Sequence, residues 1–379
     1  MKKLFSLLLA SAMVLSLAAC SASGTKAGPG SSSGSGSNTG ANSSSASGST
    51  DAGTVTVTGR DAAGENIAVE VPYKPQRVVV LDLANLDILD NLGLGGCVVG
   101  APSITLPYLQ SYNDAVPIVG TVKTPDLEAI MACDPDLILM GGRMAEYIDS
   151  LGEIAPVLRL TTVSDDGLVE AIRANAKTIG EIFGEGEQVD ALLAQYDTRI
   201  EALSAFASGK TCVLGMSTSG SFNLLGNDGR CSLIVNEIGF DNIGADAATT
   251  GSRSGRSGGH GSGDSSNGDS SSERSGGHGS SSADSSSSGS TPTHGNEVSF
   301  EAIVALNPDY IFVMDRDSAI GTNGAQMAQE IMENELIMKT DAYKNGNMVI
   351  LENPGIWYLA EGGITSLGIM LEDLESALS

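Results

Sequence analysis

One passage occurs twice in this chain, and it restricts the fold more than any other feature. Residues 126–143 read DLEAIMACDPDLILMGGR, and residues 299–316 read SFEAIVALNPDYIFVMDR. Aligned without a gap, they share Glu128/Glu301, Ala129/Ala302, Ile130/Ile303, Ala132/Ala305, Pro135/Pro308, Asp136/Asp309, Ile138/Ile311 and Arg143/Arg316. Each copy reads as a short helix with its Glu on the exposed side. A D/N-P-D turn ends that helix, because Pro cannot continue it and drives the preceding residue to extended geometry. An uninterrupted apolar run follows, Leu137–Met140 in one copy and Tyr310–Met314 in the other. Such a run marks a strand buried on both faces. An Arg then lies just past the strand's carboxyl end, where open α/β sheets place ligands. Two copies predict two similar lobes, each offering one Arg.

The first twenty residues read as a targeting segment. Lys2 and Lys3 are followed by the apolar stretch Leu4–Leu17 and by Leu17-Ala18-Ala19-Cys20. The apolar stretch is short for a membrane span. Its L-A-A-C ending resembles a bacterial lipobox, in which cleavage leaves Cys20 as the lipidated first residue. Residues 21–53 are nearly all Ser, Gly, Ala, Asn and Thr, with almost no apolar content. Ordering such a stretch costs more entropy than its burial returns, so it reads as a flexible tether.

The body that follows is long enough for two α/β lobes. Alternating elements point to largely parallel sheets. A hairpin is expected over Thr54–Thr58 and Ile67–Val71, then a strand at Arg77–Leu81, a helix at Leu83–Leu92 and a strand at Cys97–Gly100. A helix at Ala145–Ile154 and a strand at Val157–Leu160 follow the first repeat. Two amphipathic helices, Gly167–Phe183 and Glu187–Phe206, come next, and the second reads as the helix that joins the lobes. The second lobe opens with a strand at Thr211–Met216, a Ser/Gly/Asn-rich loop over Ser217–Gly229, and a helix at Cys231–Ile238. Residues 251–292 are Gly/Ser-rich, contain RSGGHGS twice, and read as a disordered insertion carrying His260 and His278. After the second repeat, a helix at Gln326–Asn334, a strand at Met348–Leu351 and a final helix at Ile364–Leu378 are expected. The resulting division is 1–20 signal peptide, 21–53 tether, 54–186 N-terminal lobe, 187–207 connecting helix and 208–379 C-terminal lobe.

Charge narrows the function. The chain carries a formal charge of −26 and a pI of about 4.2. Nucleic acid demands basic surface, so that class of partner is excluded. A site for an anion must therefore be built locally from a few converging cations. Arg143, Arg230 and Arg316 all lie where loops leave strands. A guanidinium stays charged, presents a planar fork of donors and stacks on aromatic rings. Three together would suit a compact, multiply negative ligand with aromatic faces, and Tyr358 and Trp357 could line the same mouth. Outside the Gly/Ser-rich stretches no G-x-S-x-G is present, and no H-E-x-x-H or P-loop pattern occurs. Cys97, Cys133, Cys212 and Cys231 permit either one disulfide per lobe (Cys97–Cys133 and Cys212–Cys231) or buried free thiols.

Several stretches together carry a family resemblance: KPQRVVVLDLANLDILDNLGL (74–94), PDLEAIMACDPDLILMGGR (125–143), LLGNDGRCSLIVNEIGF (224–240), HGNEVSFEAIVALNPDYIFVMDR (294–316) and NPGIWYLAEGGITSLGIMLEDL (353–374). The body resembles the substrate-binding lipoproteins of ABC transporters for ferric siderophores, and within them the binders of ferric catecholates. The resemblance implies an α/β fold of two Rossmann-like lobes joined by one long α-helix, the helical-backbone periplasmic binding protein type. It implies that Arg143 of GGR, Arg230 of NDGR and Arg316 of MDR form a basic triad in the cleft. Tyr358 and His294 would complete iron coordination when a siderophore leaves sites open. Glu128 and Glu301 would dock on a permease. The insertion at 251–292 departs from the family pattern directly before His294.

The expected protein is thus an extracytoplasmic, lipid-anchored monomer at the cell membrane. It has no intrinsic cofactor and is not an enzyme. It takes a ligand that carries Fe(III) and hands it to an ABC permease. Two other readings compete: a binder of haem or a corrinoid in the same fold, and a metal-sensing or adhesive surface lipoprotein that uses the His/Ser/Gly insertion.

Overall fold

The computed structural model describes residues 53–162, 167–250, 296–297 and 299–379. Cys20, the tether, His294 and the insertion at 251–292 lie outside the described residues. The chain begins with an antiparallel hairpin, β1 (Thr54–Arg60) and β2 (Asn66–Pro72). A first sheet follows, built from β3 (Val78–Val80), β4 (Val98–Gly100), β5 (Leu137–Met140) and β6 (Val157–Arg159). All its pairings are parallel, in the order β4-β3-β5-β6.

A second sheet contains β7 (Thr211–Thr218), β8 (Ser221–Leu224), β9 (Asp241–Asn242), β10 (Asn296–Glu297), β11 (Tyr310–Asp315) and β12 (Met348–Ile350). Its parallel pairings run β9-β7-β11-β12, the arrangement of the first sheet. The additions are β8, antiparallel on β7, and β10 on β8. The Ser217–Gly229 stretch is therefore not the loop that its composition suggests. β7 runs on to Thr218, and Ser219-Gly220 turns the chain with φ of 52° and 80° at the two central residues. Two left-handed residues are what a tight hairpin turn requires.

The two repeats match beyond their sequence. Helix Leu127–Ala132 precedes β5, and helix Phe300–Leu306 precedes β11. The residue before each proline is left-handed and not extended as the sequence suggests, Asp134 at φ 46° and Asn307 at φ 45°. Asp and Asn tolerate that conformation better than other residues with a Cβ. The next carboxylate then holds the start of the neighbouring strand. Asp136 accepts from the main-chain N–H of Gln76 and Arg77 ahead of β3, at 2.7 and 3.0 Å. Asp309 accepts from the main-chain N–H and the hydroxyl of Thr211 at the head of β7, at 2.9 and 3.0 Å.

Residues 187–207 are less regular than one unbroken helix. A 3-10 turn at Gly186–Gln188 leads into helix Val189–Ala194, and helix Asp197–Ala207 follows. Gln195 and Tyr196 keep right-handed helical dihedrals, but Tyr196 N–H bonds to Leu193 O at 2.9 Å, a tightened turn. The buried Tyr196 ring packs on Gly368, where a Cβ would lie 2.8 Å from its hydroxyl oxygen. At the far end, Phe206 meets Tyr310 of β11 edge-on with centroids 6.0 Å apart.

The C-terminal helix Ile364–Leu378 follows the second sheet in sequence but starts on a carboxylate of the first lobe. Asp87, on helix Leu83–Asn91, accepts from the main-chain N–H of Thr365 and Ser366 at 3.0 and 2.9 Å. A carboxylate there satisfies donors that a helix start leaves open. One apolar core runs from Val78, Leu86 and Leu139 of the first lobe to Leu214, Phe312 and Leu371. No helix among the described residues is long and apolar enough to cross a membrane.

Candidate functional site

Arg143 owes its position to the loop Gly141-Gly142 after β5. A Cβ at Gly141 would lie 2.1 Å from Asp82 Oδ2, so only glycine lets these two loops meet. Arg159, at the end of β6, donates to Gly141 O at 3.3 Å, to Gly142 O at 3.4 Å and to Asp61 O. Asp82 caps helix Leu83–Asn91 through Ala84 N–H and Asn85 N–H, and lies 3.9 Å from Arg143 Nη1. Burial pushes the Asp82 carboxyl up, and Arg143 opposes that rise.

Arg316 opens a short helical turn, Arg316–Ala319, directly after β11. Buried Asp315 caps the turn by accepting from Ser318 N–H at 2.9 Å. Arg316 Nη1 reaches Thr218 Oγ1 at 3.2 Å and Asp317 Oδ1 at 3.4 Å. Asp317 in turn accepts from Ser219 N–H at 2.6 Å, which ties the hairpin turn to the site. Arg230 comes from the loop after β8, before the left-handed Cys231 at φ 63°.

These three side chains converge on Tyr358, on the short helix Pro354–Leu359. Arg230 Nη1 donates to Tyr358 O at 2.8 Å, and Arg143 Nη2 donates to the same oxygen. The last carbonyls of a helix have no partner within it, and here two guanidiniums serve one of them. Arg316 Nε meets the Tyr358 hydroxyl at 3.2 Å. The guanidinium carbons of Arg230, Arg316 and Arg143 stand 4.0, 5.6 and 5.7 Å from the Tyr358 ring centroid. A cation that close to an aromatic face gains roughly 0.5–2 kcal/mol. Arg143 and Arg316 retain about a fifth of their side-chain exposure, 22% and 19%. Burial lowers the pKa of Arg230, Glu361 opposes that shift and Arg143 adds to it. The Arg230 Nε–H is buried with no acceptor among the described residues.

The structure thus brings Arg143, Arg230, Arg316 and Tyr358 together. It does not bring Trp357, whose expected place at the mouth is corrected. The indole is fully buried and donates to Asp373 Oδ2 at 2.9 Å, on the side of the helix that faces Ile364–Leu378. Successive helical residues point about 100° apart, so neighbours in sequence face different surroundings. Tyr358 is itself only 2% exposed, beneath the arginines. Glu128 and Glu301 are exposed, each in the first turn of its repeat helix. The disulfide option is also corrected: Cys97, Cys133, Cys212 and Cys231 are free thiols, and all but Cys97 are buried. Among the described residues, no group of three or more His, Cys, Asp or Glu side chains is placed to hold a metal.

Sequence reasoning missed Glu361. Its Oε1 accepts from Cys231 N–H at 2.9 Å, beside Arg230. The surrounding protein pushes its carboxyl up to about 7, against the pull of Arg230. The signal that could have found it is the Gly362-Gly363 pair that follows. Gly362 has φ 121°, and a Cβ there would lie 1.9 Å from Thr162 Cγ2 of the first lobe. A glycine forced at a seam between lobes marks its neighbour as part of that seam. A cavity of about 600 Å³ borders the other end of helix Pro354–Leu359, between Leu106–Tyr108 of the first lobe and Ser318, Ala319 and Asn353 of the second.

Two sheets of matching strand order, with arginines from both lobes meeting on one residue, define a two-lobe ligand-binding protein. The chain belongs to the periplasmic binding protein family Peripla_BP_2, whose model matches residues 78–260 and 279–354. It is 29% identical over 333 residues to the petrobactin-binding protein YclQ of Bacillus subtilis, covering 84% of this chain and 90% of that one. It is 26% identical over 313 residues to the ferric-anguibactin-binding protein FatB of Vibrio anguillarum, covering 80% of this chain and 83% of that one. Among solved structures, the crystal structure of YclQ matches with a TM-score of 0.66 over 86% of this chain and 99% of that chain, at 29% identity. The catecholate-siderophore binding protein VctP of Vibrio cholerae matches with a TM-score of 0.65 over 85% and 100%, at 27% identity.

Proposed function

We propose that this protein captures an anionic ferric siderophore of the catecholate type and delivers it to an ABC permease. The observation that carries this reading is the meeting of Arg143, Arg230 and Arg316 at Tyr358, from separate segments of two lobes. The names of YclQ, FatB and VctP support the ligand class.

In this reading the siderophore's own oxygens hold Fe(III), and the iron is cargo. The complex is negative, and the three guanidiniums neutralise it through charge-assisted hydrogen bonds to those oxygens. Arg143 and Arg230 now share the carbonyl of Tyr358, so binding replaces a neutral acceptor with an anionic one. The buried, unsatisfied Nε–H of Arg230 gains a partner in the same step. Tyr358 forms the aromatic floor that keeps the three cations together. Cys20 carries the lipid, residues 21–53 let the body stand off the membrane, and the exposed Glu128 and Glu301 present the loaded protein to permease arginines.

The test is a ligand panel read by fluorescence of Trp357, the sole tryptophan in the chain. Ferric petrobactin and a ferric tris-catecholate are expected to quench it saturably at one equivalent. Binding of haemin or a corrinoid, with no response to either ferric complex, would overturn the reading.

A further inference from the structure

Two arginines of the cluster are paired with carboxylates, and the third, Arg230, has Glu361 bonded to the N–H of the residue after it. Asp82 Oδ2 lies 3.9 Å from Arg143, and Asp317 Oδ1 lies 3.4 Å from Arg316. Glu361 acts on Arg230 through space while bonding to the next residue's N–H. The first two carboxylates have fixed structural duties. Asp82 caps a helix through two N–H groups, and Asp317 holds the hairpin turn at Ser219. Glu361 holds only the N–H of Cys231 among the bonds that its carboxylate makes to described residues.

We propose that Glu361 is a specificity-determining residue: a resident counter-charge to Arg230 that an incoming anion must outcompete, so that the site ranks ferric complexes by their charge. The inference rests on the reading of the site as one for anions. The groups that face Glu361 come from every side of the seam. Arg143 lies on the first-lobe loop, with Asp82 behind it. Arg230 and the Cys231 thiol come from the loop after β8, and Glu237 ends helix Leu233–Asn236. Tyr358 precedes Glu361 on its own segment. Glu237 is itself committed to the start of helix Leu168–Phe183, where its Oε1 accepts from Val169 N–H at 3.0 Å.

The balance at Glu361 is fine because burial and the charges around it pull in opposite directions. Packing and Glu237 favour the protonated form, while Arg230, Arg143 and the Cys231 N–H favour the carboxylate, which leaves the group near 7. An anion placed on Arg230 draws on the same positive charge and repels the carboxylate. Its binding therefore carries a proton onto Glu361. A ligand without net negative charge has no such effect.

Calorimetry of ferric petrobactin binding to the wild-type protein, in two buffers of different ionisation enthalpy, tests this directly. Proton uptake is expected between pH 7 and 8.5. Affinity should weaken about tenfold from pH 6.5 to 8.5, the size of a one-unit shift. Glu361→Gln keeps an oxygen for the Cys231 N–H and removes the charge. That variant should bind at pH 8.5 about tenfold more tightly than the wild type, take up no proton, and show a flat pH profile. Binding without proton uptake by the wild type, or the same uptake by Glu361→Gln, would overturn this inference and leave the anion site standing. Failure of the wild type to bind ferric petrobactin or a ferric tris-catecholate at any pH would overturn both.

Discussion

Arg143 and Arg230 donate to a single atom, the main-chain oxygen of Tyr358, although one follows a strand of the first sheet and the other a hairpin of the second. Two like charges are held together by a shared acceptor and an aromatic face. Their mutual repulsion is a standing cost that an anion between them removes. The same pair links the lobes, so the proposed ligand would act where the two halves already touch.

Burial lowers the pKa of Arg230, and its hydrogen bonds to a charged ligand should be worth about 1.5–3 kcal/mol. Arg230→Ala is expected to weaken ferric petrobactin binding 10- to 100-fold. Arg230→Lys should recover only part of that loss, because an ammonium cannot fork to two oxygens while stacking on Tyr358. Fluorescence titration measures both.

Glu361 also makes a prediction without ligand. Its folded pKa, about 7, stands above the ordinary glutamate value of 4.5. A raised carboxyl contributes stability that is full below the unfolded value and is lost as pH rises through the folded value. The wild type should therefore lose on the order of 1–3 kcal/mol relative to Glu361→Gln between pH 5 and 8.5. Urea unfolding of both proteins across that range checks it.

Trp357 is expected to act through packing rather than contact with ligand. Trp357→Phe removes the indole donor to Asp373 and leaves an unfilled volume in the core. A loss of about 2–4 kcal/mol in stability is expected. Ligand affinity, measured by calorimetry at a temperature where the variant is folded, should change less than threefold.

The four thiols give a simpler test. Because Cys97, Cys133, Cys212 and Cys231 are unpaired, excess dithiothreitol should leave the melting temperature unchanged. A drop of several degrees would contradict the structure.

Charge reversal at Glu128 or Glu301 should separate capture from delivery. Both are exposed and lie away from Tyr358 in sequence and in sheet position. Glu128→Lys with Glu301→Lys is expected to bind ferric petrobactin normally and to lower iron uptake by cells at least tenfold.

Much of this was legible because the repeat encodes it twice. The apolar runs Leu137–Met140 and Tyr310–Met314 give the central strands, and the shared Asp136 and Asp309 hold their neighbours. Arg143 and Arg316 keep the same place after them. Arg230 has no counterpart in the repeat; its place at the end of a polar loop and the NDGR match of the family resemblance both point to it. Three features escaped. The β7–β8 hairpin is hidden in a polar sequence, because Ser219-Gly220 reads as loop composition as readily as a two-residue turn. Trp357 does not share the surroundings of Tyr358, because neighbouring residues of a helix face different sides. Glu361 is hard to read from sequence, because the meaning of a lone acid depends on residues more than a hundred positions away.

The central claim is that three arginines bind the ligand as one site. Its most direct test is a fluorescence titration of the wild type, Arg143→Ala, Arg230→Ala and Arg316→Ala with ferric petrobactin and a ferric tris-catecholate. Saturation at one equivalent is expected in the wild type, and at least tenfold weaker binding in every variant. Equal affinity across all four proteins would contradict it.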